Sequence, residues 1–410
     1  MPTVASQRSA VQKGTAMTAP TGRHSPRDER GQVLVVMALA LVGLLSMTAL
    51  VVDGGNAFAQ QRLTQNASDA AADAGAVVLA QNIGASLVGK PLPKTDQDVA
   101  NAVNGSATNN GITSPTTAFY TDISGNLLSP SVQVGSLGTA APPSAAYGVQ
   151  VNGTKTFPAI LTGVVGIRQW SASTRATAVA GELSGFCASP VCGMLPLTFP
   201  STISNCDNTN KIVIGTGPYS IVTGPMTAAN ESIVPLCATG PGSVGWLAIA
   251  PEDKVCGGGI ADLVCDITTP DNPVLNFPIW IATETGNTNS KNVDTAMNTW
   301  DNKTVYLPLF DCLKDNVGQL SPGPACPNPA QKVSGSNTFY HMVGAIGFYL
   351  DHAYINGSNP ECNQLPGSPL AGGNGATGCL KGWFVLPLTQ GPVGTPTSGP
   401  PGPLSVQLIK

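Results

Sequence analysis

The chain has 410 residues, of which only 10% are charged, and its formal net charge is −4 at pH 7. Because lysine and arginine form no cluster beyond the first 30 residues, the sequence carries no electrostatic footprint for nucleic acid, and we expect no nucleic-acid partner. The 47 glycines and 35 prolines exceed ordinary usage and predict that the larger, C-terminal part of the chain is loop-rich and mainly β.

Residues 1–30 are rich in serine, threonine, proline and charge, and they show no apolar periodicity. Such a segment buries too little apolar surface to fold, so we predict a disordered tail. Its basic residues outnumber Asp28 and Glu29, and the positive-inside bias places the tail in the cytoplasm. These basic residues are Arg8, Lys13, Arg23, Arg27 and Arg30.

An uncharged run extends from Gln32 to Val52, between Arg30 and Asp53. At ~1.5 Å of rise per residue it spans roughly the ~30 Å hydrocarbon core of a bilayer, and it is longer than the apolar region of a cleaved secretory signal. We therefore predict a transmembrane helix over residues 31–53. The bulk of the chain then lies on the extracytoplasmic side, at the cell surface.

The chain remains helix-forming beyond Asp53, because alanine dominates up to residue 80. Small and apolar residues recur at spacings of three and four and predict a narrow stripe that packs against a close neighbour. The glycines at 54 and 55 predict a break or bend, since each costs about 1 kcal/mol in a helix interior. The stripe comprises Leu63, Ala67, Ala70, Ala71, Ala74, Val77 and Val78.

These segments resemble the N-terminal module of TadG-like and TadE-like Flp pilus-assembly proteins, over roughly residues 28–82. The matching elements occur in the family's order: Arg30-Gly31-Gln32, the apolar run, Val52-Asp53-Gly54-Gly55, and the alanine-rich stretch Gln65–Ala74. A weaker match, from Thr156 to Ala178, is similar to the end of the pilin-like module.

The resemblance implies a pilin-like protein that works through helix packing. It implies assembly roles for Asp53, Gly54 and the stripe residues Leu63, Ala67, Ala70, Ala71 and Ala74. It also implies a processing site at Gly31 and Gln32. Prepilins carry a glutamate five residues after the cleavage glycine, where this chain has Val36, so cleavage is left open.

Residues 54–183 are predicted to form the pilin-like helix and a small α/β module. A short helix is expected from Asp96 to Asn104, and a hairpin around Gly125. Alternating segments at 146–154 and 171–180 predict two strands.

Residues 184–410 are predicted to form a second, cysteine-rich and mainly β extracytoplasmic domain. The fold class is therefore α+β. Candidate strands are 194–199, 211–215, 243–249, 277–282, 304–310, 340–350 and 382–388.

All ten cysteines lie in the second part of the chain, which fits disulfides made in an oxidising compartment. Sequence does not fix their connectivity, and we favour local pairs. These are Cys256 with Cys265, Cys312 with Cys326, Cys362 with Cys379, and Cys187 or Cys192 with Cys206 or Cys237.

No catalytic constellation is recognisable. The three histidines, His24, His341 and His352, have no Gly-x-Ser-x-Gly nucleophile motif beside them. No Cys-x-x-Cys motif indicates a zinc or redox site. Asp262 and Asp266 belong to an acidic set that lacks the order of a calcium loop. We therefore assign no catalytic residue, no cofactor and no metal.

Three functions are compatible with these features. The favoured one is a membrane-anchored bacterial surface protein that is a non-catalytic pilin-like component or assembly factor of a Flp/Tad-type pilus. Its partners would be the lipid bilayer and other pilus subunits. The alternative is a tethered adhesion module that recognises a glycan or a protein, for example through Trp246, Trp280, Trp300 and Trp383. The least favoured is an exported hydrolase.

Overall fold

The computed structural model describes thirteen stretches of the chain: residues 29–112, 117–186, 194–204, 211–237, 245–249, 256, 259–269, 275–284, 290–315, 338–355, 360–363, 376–394 and 401–409. The predicted tail, apart from its last two residues, lies outside these stretches. So do Cys187, Cys192, Cys206, Cys326 and His24.

Helix α1 extends from Glu29 to Leu87 without interruption. A break at Gly54 and Gly55 is therefore wrong, since both glycines lie inside the helix, whereas the alternative of a bend stays a prediction. A Cβ atom at either position would meet nothing within 4 Å, so neither glycine is needed for a close contact. Strong helix formers on both sides outweigh the roughly 1 kcal/mol that each glycine costs.

Three shorter helices follow: α2 at Asp96–Asn109, α3 at Ile260–Thr268 and α4 at Lys291–Met297. The described strands up to residue 213 are β1 Thr117–Thr121, β2 Gly148–Pro158, β3 Gln169–Leu183, β4 Gly185–Phe186, β5 Phe199–Pro200, β6 Thr202–Ser204 and β7 Lys211–Val213. Those after residue 213 are β8 Ser232–Cys237, β9 Leu275–Asn276, β10 Ile279–Ala282, β11 Lys303–Asp315, β12 Thr338–Tyr354, β13 Ala376–Val385, β14 Leu388–Gln390, β15 Val393–Gly394 and β16 Leu404–Ile409.

The first large sheet has the order β1-β2-β3-β16-β14, and β15 also pairs with β3. Strand β16 is antiparallel to β3, with Leu404 opposite Glu182 and Ile409 opposite Thr177. The last described strand thus completes a sheet whose other long strands lie in the first half of the chain. Sequence analysis had assigned residues 404–409 to the second domain without predicting this pairing.

The second large sheet has the order β5-β11-β12-β13-β8, and β10 also pairs with β12. Its long strands β11, β12 and β13 contain the candidate strands at 304–310, 340–350 and most of that at 382–388. Leucine, isoleucine and aromatic side chains pack beneath this sheet, including Trp246, Phe348 and Phe384. The fold class is α+β, as predicted.

The smaller elements predicted for the first part of the chain are present. The helix expected at 96–104 is the start of α2, which the capping box of Thr95 and Asp98 begins. The strands expected at 146–154 and 171–180 lie within or overlap β2 and β3. In the hairpin around Gly125, the amide of Asp122 donates to the carbonyl of Asn126 at 2.8 Å.

The chain divides into two compact units. One comprises the described residues up to Asn56 together with Pro158–Gln169. The other comprises Ala57–Phe157 and Trp170–Lys410, and it contains both large sheets.

Candidate functional site

The first half of α1 presents apolar side chains outward on all sides. From Val33 to Val51 the side chains are exposed, apart from the half-buried Ala49. Within the described stretches, α1 is the one helix that is long and apolar enough to cross a membrane. So many exposed leucine, valine and methionine side chains are unfavourable in water, and a bilayer supplies the apolar surroundings that they require.

The residue that ends this run, Asp53, is buried, with only 2% of its surface exposed. Its Oδ1 atom accepts a hydrogen bond from the amide of Ile160 at 2.8 Å, and its Oδ2 atom accepts one from the amide of Thr162 at 2.5 Å. The amide of Leu161 lies 3.1 Å from both oxygens. Three consecutive backbone donors therefore surround one carboxylate, which satisfies a charge that is otherwise costly to bury.

The second half of α1 packs through a face of small residues. Ala67, Ala71, Ala72, Ala76 and Ala80 are buried, together with Leu79. They contact the apolar side chains of α2 and of strands β1, β2 and β3 in one hydrophobic cluster. Of the predicted stripe, Ala67 and Ala71 lie on this face, Ala70 and Ala74 are half-buried, and Leu63 is 51% exposed.

At Gly75, helix α1 lies very close to the elements that cover it. A Cβ atom there would lie 2.8 Å from Cγ2 of Val103 and 3.1 Å from Cγ2 of Val149. These residues belong to α2 and β2, so the helix is in contact with both elements at this turn. A side chain larger than hydrogen would force them apart.

Polar side chains of α1 fix its register against β3. The hydroxyls of Ser68 and Thr174 lie 2.7 Å apart, and Thr174 also donates to the carbonyl of Thr64 at 3.2 Å. The side-chain amide of Gln61 donates to the carbonyl of Ser173 at 3.0 Å. These bonds hold the alanine face against the sheet at a single longitudinal position.

Asp96, the first residue of α2, organises a loop that sequence analysis did not single out. Its fully buried carboxylate accepts hydrogen bonds from the hydroxyl of Tyr120 at 2.7 Å and from the amides of Gly135, Leu137 and Gly138 at 2.7 to 2.9 Å. Burial, together with the bond to Asp96, raises the pKa of Tyr120 well above its usual range. An aspartate directly after a capping threonine was the available signal, but its partners lie far away in sequence.

The two histidines of the second sheet are each paired with an aspartate. Nδ1 of His341 lies 2.7 Å from Oδ1 of Asp311, and Nδ1 of His352 lies 2.7 Å from Oδ2 of Asp301. His341 also stacks on Trp280, with the ring centroids 4.7 Å apart. In each case the contact with an aspartate fixes the orientation of the imidazole ring.

Two of the favoured disulfides are present, Cys256–Cys265 and Cys362–Cys379. Cys312 is disulfide-bonded as well, and its predicted partner Cys326 lies outside the described stretches. Cys237 is the last residue of β8, and its side chain is also outside them.

Two groups of side chains in the described part of the chain have the spacing of metal ligands. One contains Asp311, Cys312 and His341, and the other contains Cys256, Asp262 and Asp266. In both groups the cysteine is oxidised in a disulfide, so neither offers the thiolate that binds a metal ion. Burial, with a smaller effect from the nearby Asp262, raises the pKa of Asp266 to about 8, so this carboxyl group is mostly neutral at pH 7.

The four tryptophans considered for glycan binding have different environments. Trp246 and Trp280 are buried in the protein interior. The indole of Trp300 donates to the carbonyl of Ile267 at 2.8 Å, and that of Trp383 donates to the side chain of Asn230 at 2.9 Å. At least the two buried rings are unavailable to a ligand at the surface.

Gly31 and Gln32, the residues of the suggested processing site, lie in the first turn of α1. The Tad family model, which describes TadE/G-like Flp pilus-assembly proteins, matches residues 31–78. No curated protein and no solved structure shows a significant match to the chain. The matched residues begin at Gly31, contain the exposed apolar run and Asp53, and end within the buried alanine face. Residues 31–78 of this chain are therefore similar to the TadE/G-like Flp pilus-assembly family.

Proposed function

We propose that this protein is a single-pass, membrane-anchored component of a Flp/Tad-type pilus apparatus and that it acts by packing and display, without catalytic turnover. One observation carries the proposal. The family match at residues 31–78 coincides with a helix whose first half exposes apolar side chains and whose second half is buried in a folded module. An anchor continuous with a folded extracytoplasmic part suits a protein that holds or guides other subunits.

The proposed orientation places the N-terminus in the cytoplasm and the two sheets outside. The basic residues before Gln32 support it through the positive-inside bias. The disulfides Cys256–Cys265 and Cys362–Cys379 support it independently, because such bonds persist in oxidising compartments.

The partners are other pilus subunits, and α1 offers them a surface. Beyond the lipid-exposed run, Phe58 and Leu63 remain 77% and 51% exposed on this helix. Large apolar side chains exposed outside a membrane are favourable sites for protein contact. Leu63 is also one of the residues assigned to assembly from the family resemblance.

The mature N-terminus tests this function. Mass spectrometry would be applied to the protein from washed membranes and from sheared surface filaments. An uncleaved chain confined to membranes identifies an anchoring or assembly component. A chain that begins at Gln32 and occurs in filaments identifies a minor pilin.

A deletion strain provides the control. Loss of Flp pili on deletion, restored by the wild-type gene, supports the proposal. Normal numbers of pili together with lost surface attachment would overturn it in favour of the adhesion module. Leu63→Asp should lower pilus number, whereas the matched substitution Leu127→Asp, at a leucine of similar exposure outside α1, should leave it unchanged.

A further inference from the structure

The connection between β2 and β3 is an apolar loop that faces outward. Residues 159–168 contain a single charged side chain, that of Arg168. Ile160 is 60% exposed, Leu161 is 37% exposed and Ile167 is 47% exposed. Water is a poor solvent for three large aliphatic side chains grouped in one short loop.

Asp53 fixes where this loop lies along α1. Its carboxylate is bound by the amides of Ile160, Leu161 and Thr162, and it immediately follows the last residue of the lipid-exposed run. The loop is thus attached at the helical turn where α1 leaves the hydrocarbon core. Its apolar side chains continue the lipid-exposed surface of the helix at that level.

We propose that residues 159–168 form a second membrane contact, in which Ile160, Leu161 and Ile167 enter the outer interfacial layer of the bilayer beside α1. Asp53 holds the loop at this depth. Arg168, exposed at the end of the loop, is positioned to meet the phosphates of lipid headgroups. The inference rests on the membrane anchoring of α1 proposed above and adds a site that the family match does not cover, since that match ends at residue 78.

The attachment explains why a carboxylate is placed at the edge of an apolar run. A charged side chain facing lipid is costly, but Asp53 faces three backbone donors instead. The backbone amides of the loop gain a hydrogen-bond acceptor, and the carboxylate is kept from contact with lipid. Both groups can then lie close to the hydrocarbon without leaving polar atoms unsatisfied.

Photocrosslinking of the full-length protein in phospholipid vesicles tests the contact. A benzophenone amino acid would replace Ile160 or Ile167, and Leu41 in the middle of α1 would serve as the reference for lipid exposure. The controls are Leu127 and Leu137, whose exposures of 44% and 42% match that of Ile167 but whose positions lie outside the loop and α1. We expect lipid adducts at 41, 160 and 167 and none at 127 or 137.

The outcomes separate this inference from the proposed function. Adducts at 41 without adducts at 160 and 167 would overturn the loop contact and leave the anchor intact. Absence of adducts at 41 would remove the anchor as well. If positions 160 and 167 formed protein adducts instead of lipid adducts in native membranes, the loop would be a subunit interface and the inference would be wrong.

The role of Asp53 is tested in the same assay. Asp53→Ala should lower the lipid adducts at position 167 severalfold while leaving those at position 41 unchanged. Asp69→Ala is the matched control, because Asp69 lies on the same helix and bonds Gln65 rather than the loop. Unchanged adducts in Asp53→Ala would exclude the carboxylate as the attachment.

A second variant keeps the test decisive if Asp53→Ala does not fold. The double substitution Ile160→Ser and Ile167→Ser leaves the hydrogen bonds to Asp53 in place, because these come from backbone amides. It should abolish lipid adducts from a benzophenone at position 161. Full adduct yield there would contradict an interfacial position for the loop.

Discussion

The two halves of α1 are both apolar and both helical, yet they use different side chains. Residues 33–52 are mainly leucine, valine, methionine and alanine and are exposed, whereas the buried face at 67–80 is made mainly of alanine with Gly75. Fluid lipid chains accommodate large side chains of any shape. A close-packed neighbour admits only what fits, and α2 and β2 approach α1 too closely for anything large. Side-chain size, more than hydrophobicity, thus indicates what a helix face contacts.

The largest effects that we expect come from placing a charge in each half of α1. The two substitutions should impair different properties, because the two halves have different surroundings. Ala71→Asp buries a carboxylate at a fully enclosed position and should destabilise the folded module by about 4 kcal/mol or more. Leu41→Asp should instead oppose membrane insertion by about 3 kcal/mol. Thermal unfolding in detergent measures the first effect, and resistance to alkaline extraction of membranes measures the second.

As a control, each variant is also tested in the assay designed for the other. Ala71→Asp should still insert, and Leu41→Asp in detergent should unfold at the wild-type temperature. Ala59→Asp, at an exposed position between the two segments, should change neither property. If Ala71→Asp unfolded like the wild type, the alanine face would not be a packed interface.

An added side chain at the tightly packed Gly75 should have an intermediate effect. Gly75→Val places new atoms within about 3 Å of Val103 and Val149, and such overpacking typically costs about 1 to 3 kcal/mol. Gly54→Ala, on the same helix with nothing within 4 Å, should stabilise α1 by up to about 1 kcal/mol. Chemical unfolding curves would show opposite shifts of the midpoint. Equal shifts would mean that the two halves are packed alike.

The smallest effect concerns the start of α2, which covers the alanine face. The hydroxyl of Thr95 accepts the capping hydrogen bond from the amide of Asp98, and Thr95→Ala should cost about 1 kcal/mol. Hydrogen bonds from the amide and hydroxyl of Thr95, with a smaller effect of Lys94, lower the pKa of Asp98. A carboxyl whose pKa is lower in the folded state stabilises the protein above the unfolded value of about 4. That contribution is lost as the pH falls through the folded value.

The acid side of the stability profile measures this contribution. Asp98→Asn should flatten the decline below about pH 4. Gln97→Ala, which alters the exposed neighbour, should reproduce the wild-type profile. A wild-type profile in Asp98→Asn would show that the capping carboxylate does not contribute to stability.

Much of this architecture was predictable because it depends on local patterns. The uncharged run before Asp53 and the alternation in β2 and β3 are periodic signals. Cys256–Cys265 and Cys362–Cys379 are separated by only 9 and 17 residues, so neighbours in sequence were good candidates for pairing. The alanine stripe was predicted with its centre displaced, because a run of small residues leaves the buried face of a helix poorly defined.

What sequence could not provide is the set of long-range partners. Asp53 bonds residues 107 to 109 positions away, and nothing near it in sequence indicates that loop. Strand β16 is a short apolar segment after a proline-rich stretch, and its pairing with β3 depends on an edge that appears only in the folded molecule. No break occurs at Gly54, because the strong helix formers on both sides of it outweigh the cost of a glycine.

The place of β16 in the first sheet also sets an order of events during folding. Synthesis proceeds from the N-terminus, so the residues of α1 and β3 are made long before residues 404–409. Leu404 packs into the same cluster as the alanines of α1 and would lie 2.8 Å from a Cβ at Gly84. Until then β3 has an open edge, which is a ready template for pairing with another chain. Completion of the first sheet thus requires that synthesis has reached at least residue 409.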